Sequence, residues 1–219
     1  MTEADVASEK VIIQTIQETF PDHSILAEES GANHGNTEYQ WIIDPLDGTT
    51  NYAHQLPIFS IAIALAVRHE TVMGLVLNPI DGELFSAIVG HGAMLNDTSI
   101  RVSSTASVHK SLLVTGFPYD FSDILEPVMK RFSVCQNTSR GVRRLGSAAL
   151  DICYVACGRF DGFWEQNLKP WDSAAGALMV VEAGGRVTTF ADRPYTVEHA
   201  EILATNGLIH KEMLGLLEI

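Results

Sequence analysis

Basic residues are scarce in this chain: Lys and Arg number 14 in 219 residues against 27 Asp and Glu, a net charge of −13. That balance disfavours nonspecific binding to nucleic acid or to an anionic membrane. It also means that overall charge steering cannot recruit an anionic substrate, so local cations have to invert the field. The one basic cluster, Arg140, Arg143 and Arg144, reads as a solvated face rather than a nucleic-acid groove. Cysteine is rare too. Cys135, Cys153 and Cys157 are an odd count with no metal-ligand spacing to histidine, and they read as core thiols. The eight histidines form no H-E-x-x-H, which leaves zinc hydrolysis without support. There is no G-x-x-x-x-G-K-[ST], so a nucleotide P-loop is excluded, and Gly90-His91-Gly92 is only a fragment of a dinucleotide fingerprint, best taken as a turn. No apolar run reaches about 18 residues and no signal-peptide pattern is seen, so a soluble cytoplasmic protein is expected.

Repeats and low-complexity linkers are also missing, while 46% of residues are hydrophobic. A sizeable core in one domain over residues 1–219 is expected, in two lobes with a boundary near 110–145.

What the chain does have is Trp41-Ile42-Ile43-Asp44-Pro45-Leu46-Asp47-Gly48-Thr49-Thr50-Asn51. An apolar strand end delivers two carboxylates three residues apart, followed by Gly-Thr-Thr. Pro45 fixes its own φ and biases Asp44 toward an extended conformation, so the turn is stiff before any ligand arrives. Stiff, oxygen-rich positions suit hard cations. Gly48 allows close backbone approach to an anion, and Thr49 and Thr50 add donors where a helix could begin. Pro, Asp and Gly are equally ordinary residues of a surface turn, and these residues alone leave both readings open.

Two further acidic positions weigh toward chemistry. Ser24 to Ala27 reads as a short buried strand ending in Glu28-Glu29, where a neighbouring strand would supply a ligand; the plain alternative is a solvated charge pair. Lys169-Pro170-Trp171-Asp172 opens a helix that stops at Gly184-Gly185. Asp172 is its N-cap candidate, and its carboxylate could face a metal as well.

These residues resemble the inositol monophosphatase family of Mg²⁺-dependent, lithium-sensitive phosphatases. Its signatures D-P-[IL]-D-G-T-[TS]-N and W-D-x-[AG]-[AG]-x-x-x-x-x-x-[ED]-A-G-G are both complete here, from Asp44 to Asn51 and from Trp171 to Gly185. Glu28-Glu29-Ser30 and Gly146-Ser147-Ala148-Ala149 extend the likeness over nearly the whole chain. The resemblance implies two or three Mg²⁺ ions: one on Glu28, Asp44 and the Leu46 carbonyl, a second on Asp44, Asp47 and Asp172, and a weaker third on Glu28 and waters. It implies that Asp5 and the Thr49 hydroxyl orient the attacking water and that phosphate lies against the Gly48 and Thr49 amides. Gly146, Ser147, Ala148 and Glu165 would line the alcohol side, with Glu165 accepting hydrogen bonds from ring hydroxyls.

The implied activity is hydrolysis of a small polyol phosphate, with inositol 1-phosphate as the leading substrate. Fructose 1,6-bisphosphate, histidinol phosphate and a 3′-phosphoadenosine nucleotide are the competitors. Thr50-Asn51, and Glu165 seven residues before Asp172, resemble the inositol branch more than the nucleotide branch. A homodimer is expected, and a role as a regulatory partner of the transcription machinery, as in some bacterial relatives, is the alternative of another class. No docking motif supports that alternative. Metal-activated water suits the chemistry: a phosphate monoester dianion repels hydroxide, and bound metal ions both neutralise it and lower the pKa of water.

The periodicity predicts an amphipathic helix over Ala4 to Phe20 with Val6, Ile12, Ile13, Ile16 and Phe20 on one side, and Thr2 to Asp5 in capping-box positions. Strands are predicted over Ile58 to Val67, Thr71 to Leu77 and Glu83 to Val89, an antiparallel meander, and over Leu112 to Thr115, Phe160 to Glu165 and Ile202 to Thr205. Helices are predicted over Asp123 to Cys135, Ser147 to Gly158 and His210 to Leu217. These mixed elements give an α/β sandwich, and the resemblance implies five alternating layers, α-β-α-β-α, of the inositol monophosphatase / fructose-1,6-bisphosphatase type. Relatives carry a helix and a hairpin ahead of the Thr2 to Asp5 segment; the expectation is that this chain lacks them and exposes an apolar strip on its first helix.

Overall fold

The computed structural model describes every residue except 34, 119–123 and 219, and leaves the side chains of residues 33, 36 and 37 undescribed. Helix α1 (Glu3–Thr19) is followed by β1 (His23–Ala27), β2 (Gly31–Asn33), β3 (Asn36–Asp47), the short α2 (Thr49–Ala53), β4 (Ser60–Val67), β5 (Glu70–Asn78), β6 (Glu83–Ile88), β7 (Gly92–Leu95) and β8 (Thr98–Ser99). After a 3-10 turn come β9 (Leu112–Thr115), α3 (Leu125–Thr138), β10 (Gly141–Arg143), α4 (Ala148–Ala156), β11 (Gly162–Gln166), α5 (Pro170–Glu182), β12 (Arg186–Thr188), β13 (Glu201–Thr205) and α6 (His210–Leu217).

The strands form two sheets, ordered β2-β1-β3-β4-β5-β6-β7-β8 and β10-β9-β11-β13-β12. The predicted meander is present as antiparallel β4, β5 and β6. The alternation of side chains along each strand then dictates five layers. Ile25, Ala27, Trp41 and Ile43 of the large sheet pack with Ile12, Ile13 and Ile16 of α1. The opposite face, with Ile42, Ala62, Ala64, Val76 and Phe85, joins α4 and α5 and the inner face of the small sheet through Val114, Phe163 and Ile202. The outer face of the small sheet, with Leu113, Trp164 and Leu203, packs with Cys135 of α3 and Met213 and Leu217 of α6. The order is therefore α1, large sheet, α4/α5, small sheet, α3/α6.

Small residues set the spacing of the central layer. A Cβ on Gly74 would come within 2.9 Å of the Ala175 backbone, so α5 lies almost on the sheet at β5. That close approach carries the N-terminal turn of α5 toward the end of β3, where the carboxylates are.

Two expectations need correction. The apolar side predicted for α1 is divided: Ile12, Ile13 and Ile16 pack on the sheet, whereas Val6 and Phe20 are 51% and 40% exposed. The buried face instead begins with polar Asp5 and Glu9 before continuing through Ile16, because it must serve two loops that need hydrogen-bond acceptors. Asp172 is the third residue of α5, not its N-cap: Lys169 holds that position, Pro170 follows it, and the Asp172 carboxylate accepts from the Lys169 N–H at 2.7 Å. The predicted start of α3 at Asp123 lies outside the described residues. Strands β2, β7, β8, β10 and β12 were not foreseen; at two to four residues they are too short to show a period.

Candidate active site

The site is built on an irregularity in β3. Asp44 pairs with Ala62 of β4 and Asp47 pairs with Ser60, so three steps on β3 span two on its partner. In a regular strand, residues three apart point to opposite faces. The extra residue, a β-bulge at Pro45-Leu46, restores both carboxylates to one side. The sequence suggested a stiff turn after Ile43; the chain instead stays paired as a strand through Asp47, and proline is tolerated because the bulge removes its ladder bond.

Around this bulge the acids converge. Asp44 is 2% exposed, and burial first, then Asp47, Glu28 and Asp172, push its carboxyl well above the usual range. Asp47 is raised by burial although Ser147, Ala149, Ala148 and Ser60 all donate to it. Asp172 is pushed up to about 7, by burial and then by Asp47. Glu28, placed beside β3 by its N–H bond to the Ile43 carbonyl, is raised by burial and by its acidic neighbours. None of the four forms an ion pair with Lys or Arg among the described residues.

The polar face of α1 fastens the two loops that carry these acids. Asp5 is fully buried; Thr2 caps the helix and donates to its carboxylate, as the capping-box positions predicted, and Thr49 Oγ1 donates to the other oxygen at 3.1 Å. Burial works to raise the Asp5 pKa, but these bonds outweigh it and hold the carboxyl below its usual range. Ser8 Oγ donates to the Pro45 carbonyl at 2.9 Å. The Glu9 carboxylate accepts from the N–H groups of Glu29 and Ser30 at 2.9 and 3.0 Å, fixing the turn that presents Glu28. Ser8 and Glu9 were missed from the sequence. Their spacing with Asp5 and Ile12 on one helical face is the signal that could have found them.

On the other side, Gly48 has φ +93° and starts α2, and the Leu46 carbonyl lies 3.1 Å from Thr49 Oγ1, competing with Asp5 for its single proton. Ser147 caps the start of α4 in extended conformation, so Gly146, Ser147 and Ala148 stand against Asp47. Together with Glu28, Asp172, Gly116 and Glu165 they line a cavity of about 970 Å³. Glu165 is 7% exposed, and burial followed by the Asp172 and Asp47 charges raises it well above the usual range. Arg140, Arg143 and Arg144 are all exposed, as a solvated face predicts, and Arg144 also lines the rim of this cavity and opposes that rise. Of the sequence-predicted site residues, Glu28, Asp47, Gly146, Ser147, Ala148, Glu165 and Asp172 line this cavity, Thr49 lines a second, smaller one that also touches Glu28, and Asp5, Asp44, Leu46 and Gly48 line neither.

The carboxylates of buried Asp44, half-buried Asp47 and Asp172 and exposed Glu28, with one backbone carbonyl and hydroxyl groups, form an all-oxygen donor set, which is the chemistry of a hard divalent cation. Burying several like charges without a counter-ion is costly, and a cation removes that cost. The donor set therefore fits Mg²⁺. Among the described residues no three such side chains already enclose a finished cation cage, since Asp44, Asp47 and Asp172 turn oxygens toward N–H and O–H donors.

Fold and site agree with a single class of protein. Residues 1–218 match the model of the inositol monophosphatase family, and the chain belongs to that family of phosphatases. It is 48% identical to the inositol-1-monophosphatase of Synechocystis sp. over 214 residues, covering 97% of this chain and 75% of that protein. It is 44% identical to the Nus factor SuhB of Haemophilus influenzae, covering 98% of this chain and 81% of that one. Among solved structures, the inositol monophosphatase of Anabaena superposes with a TM-score of 0.94 at 47% identity, over 98% of this chain and 85% of the other. Among the described residues no helix is long and apolar enough to cross a membrane.

Proposed function

We propose that this protein is a Mg²⁺-dependent phosphomonoesterase that hydrolyses a small polyol phosphate, with myo-inositol 1-phosphate as the leading substrate. The observation that carries the reading is the convergence of Glu28, Asp44, Asp47 and Asp172, with no Lys or Arg ion pair among the described residues, beside a cavity also lined by the buried acid Glu165. Glu28, Asp44 and the Leu46 carbonyl would hold one ion, and Asp44, Asp47 and Asp172 a second. When bound, Mg²⁺ neutralises the phosphate dianion and lowers the pKa of water.

The remaining work falls to the chain. Asp5, kept ionised by its hydrogen bonds, holds the Thr49 hydroxyl beside the Leu46 carbonyl and so fixes an acceptor for the proton of an attacking water. The Gly48-Thr49 backbone receives the phosphate oxygens. Gly146, Ser147 and Ala148 shape the wall on the alcohol side, and Glu165 accepts hydrogen bonds from substrate hydroxyls. Lithium inhibition accompanies this reading.

The test is phosphate release over a panel of inositol, sugar, histidinol and nucleotide phosphates with and without Mg²⁺. Mg²⁺-dependent turnover highest on inositol phosphate supports the proposal. Activity that persists after exhaustive EDTA treatment would sink the metal reading.

A second reading is favoured by the relatives named Nus factor SuhB, at 42–44% identity: a role with the transcription machinery. Pull-down of transcription factors by a metal-site variant that cannot turn over substrate separates the two. A homodimer is proposed as the solution state, to be checked by light scattering.

A further inference from the structure

One buried acid in the cavity has no part in the site as described. Asp151 stands one turn into α4, four residues after Ser147, is 1% exposed and lines the same cavity as Glu165 and Arg144. Its Oδ1 is buried and has no hydrogen-bond partner among the described residues. The large majority of buried side-chain polar atoms in folded proteins are satisfied, and an unsatisfied one calls for a cause. The usual causes are missing here. Asp151 is the fourth residue of α4, beyond the N-cap position held by Ser147, and makes no ion pair among the described residues. Nor is it placed with the cation ligands: Ser147, Ala148 and Ala149 spend their donors on Asp47, one turn closer to the bulge.

Its surroundings narrow what could satisfy it. Glu165, also buried, has no side-chain hydrogen bond among the described residues either, so the alcohol side of the cavity presents two unfilled carboxyls and one guanidinium, Arg144. Burial and the Glu165 and Asp47 charges act against ionisation of Asp151, with Arg144 opposing them. An anion would find two acids in its way. A polyol is different, because each hydroxyl both donates and accepts.

We infer that Asp151 is a specificity-determining residue that, with Glu165, hydrogen-bonds hydroxyl groups on the alcohol portion of a polyol phosphate. The inference rests on the polyol-phosphatase reading above and adds to it a residue on α4 that the sequence motifs did not single out. A site built to pair hydroxyls discriminates strongly against a leaving group that lacks them, because its own polar groups are then left unpaired.

The test compares wild type, Asp151→Asn and Asp151→Ala at saturating Mg²⁺, with myo-inositol 1-phosphate and with p-nitrophenyl phosphate, whose leaving group carries no further hydroxyl. Asp151→Ala is expected to raise KM for the inositol ester about tenfold, with less than about a threefold change for the nitrophenyl ester. Asp151→Asn, which keeps a donor and an acceptor, should recover most of the difference. Competitive inhibition by free myo-inositol should weaken in parallel, a readout that needs no turnover of the polyol ester. If Asp151→Ala does not fold, the Asp151→Asn selectivity ratio and inositol inhibition decide. Equal change for both esters, or none, overturns the inference while leaving the function intact. Wild type that shows no preference for the polyol ester overturns the functional reading and this inference with it.

Discussion

The Ser147 hydroxyl donates to the Asp47 carboxylate at 2.5 Å, joining residues 100 positions apart in the chain. The same carboxylate accepts from the N–H groups of Ala149 at 2.8 Å and Ala148 at 3.3 Å. One aspartate thus ties the bulge of the large sheet to the first turn of α4, and so joins the metal side of the cavity to its alcohol side.

Asp47→Asn should therefore cost more than a lost charge. The amide keeps one acceptor oxygen where the carboxylate served four donors, and its NH₂ would face some of them. Turnover at saturating Mg²⁺ should fall by more than the ~10–100-fold typical of residues that only support a metal ligand. Steady-state kinetics beside a circular-dichroism melt checks this; near-normal turnover in a folded variant would make Asp47 merely structural.

Glu9→Gln should weaken Mg²⁺ binding without touching the cation ligands. Glu9 offers two carboxylate oxygens to the N–H groups of Glu29 and Ser30, and glutamine can accept through only one. A loss of about tenfold in Mg²⁺ affinity by calorimetry is expected, with kcat recovered at high Mg²⁺. An unchanged affinity would show that the turn holds Glu28 by itself.

The metal-free protein should lose stability as pH rises. Asp44, Asp47, Asp172 and Glu28 all have folded-state pKa values above their ordinary ones, Asp172 at about 7. The native state then binds more protons than the unfolded chain, so this contribution is full below about pH 4 and is lost as pH climbs through the folded values. Tm in EDTA should drop between pH 5 and pH 8, and Mg²⁺ should raise it more at pH 8, where the ligands are ionised. A Tm in EDTA that rises over this interval would contradict the arrangement.

Gly116→Ala should act as a selectivity variant. A Cβ at that position would land on the Glu165 carboxylate, so glycine is what lets Glu165 lie where it does. The displaced carboxylate should raise KM for inositol phosphate several-fold more than for a small generic ester, and Glu165→Ala should show the same pattern. Equal effects on both substrates would mean that Glu165 supports the wall rather than contacting substrate.

Local information was enough for much of this. Alternation and turn chemistry marked β4 to β6, and helical periodicity marked α1, α4 and α6, because each is long enough to show its period. The spacing of Asp44, Pro45, Asp47 and Gly48 marked a place for a hard cation, since those residue types carry their chemistry wherever they are placed. Tertiary structure decided the rest. The bulge that brings Asp44 and Asp47 to one side depends on pairing with Ala62 and Ser60. The buried polar face of α1 depends on two distant loops whose N–H and O–H groups need acceptors. Asp151 lies within the helix predicted over Ser147 to Gly158 without standing out there, and only the tertiary structure buries it on the cavity that Gly116 and Glu165 also line. Sequence fixes which groups a chain can offer; which of them end up buried, paired or left open to a ligand follows from contacts between segments far apart along it.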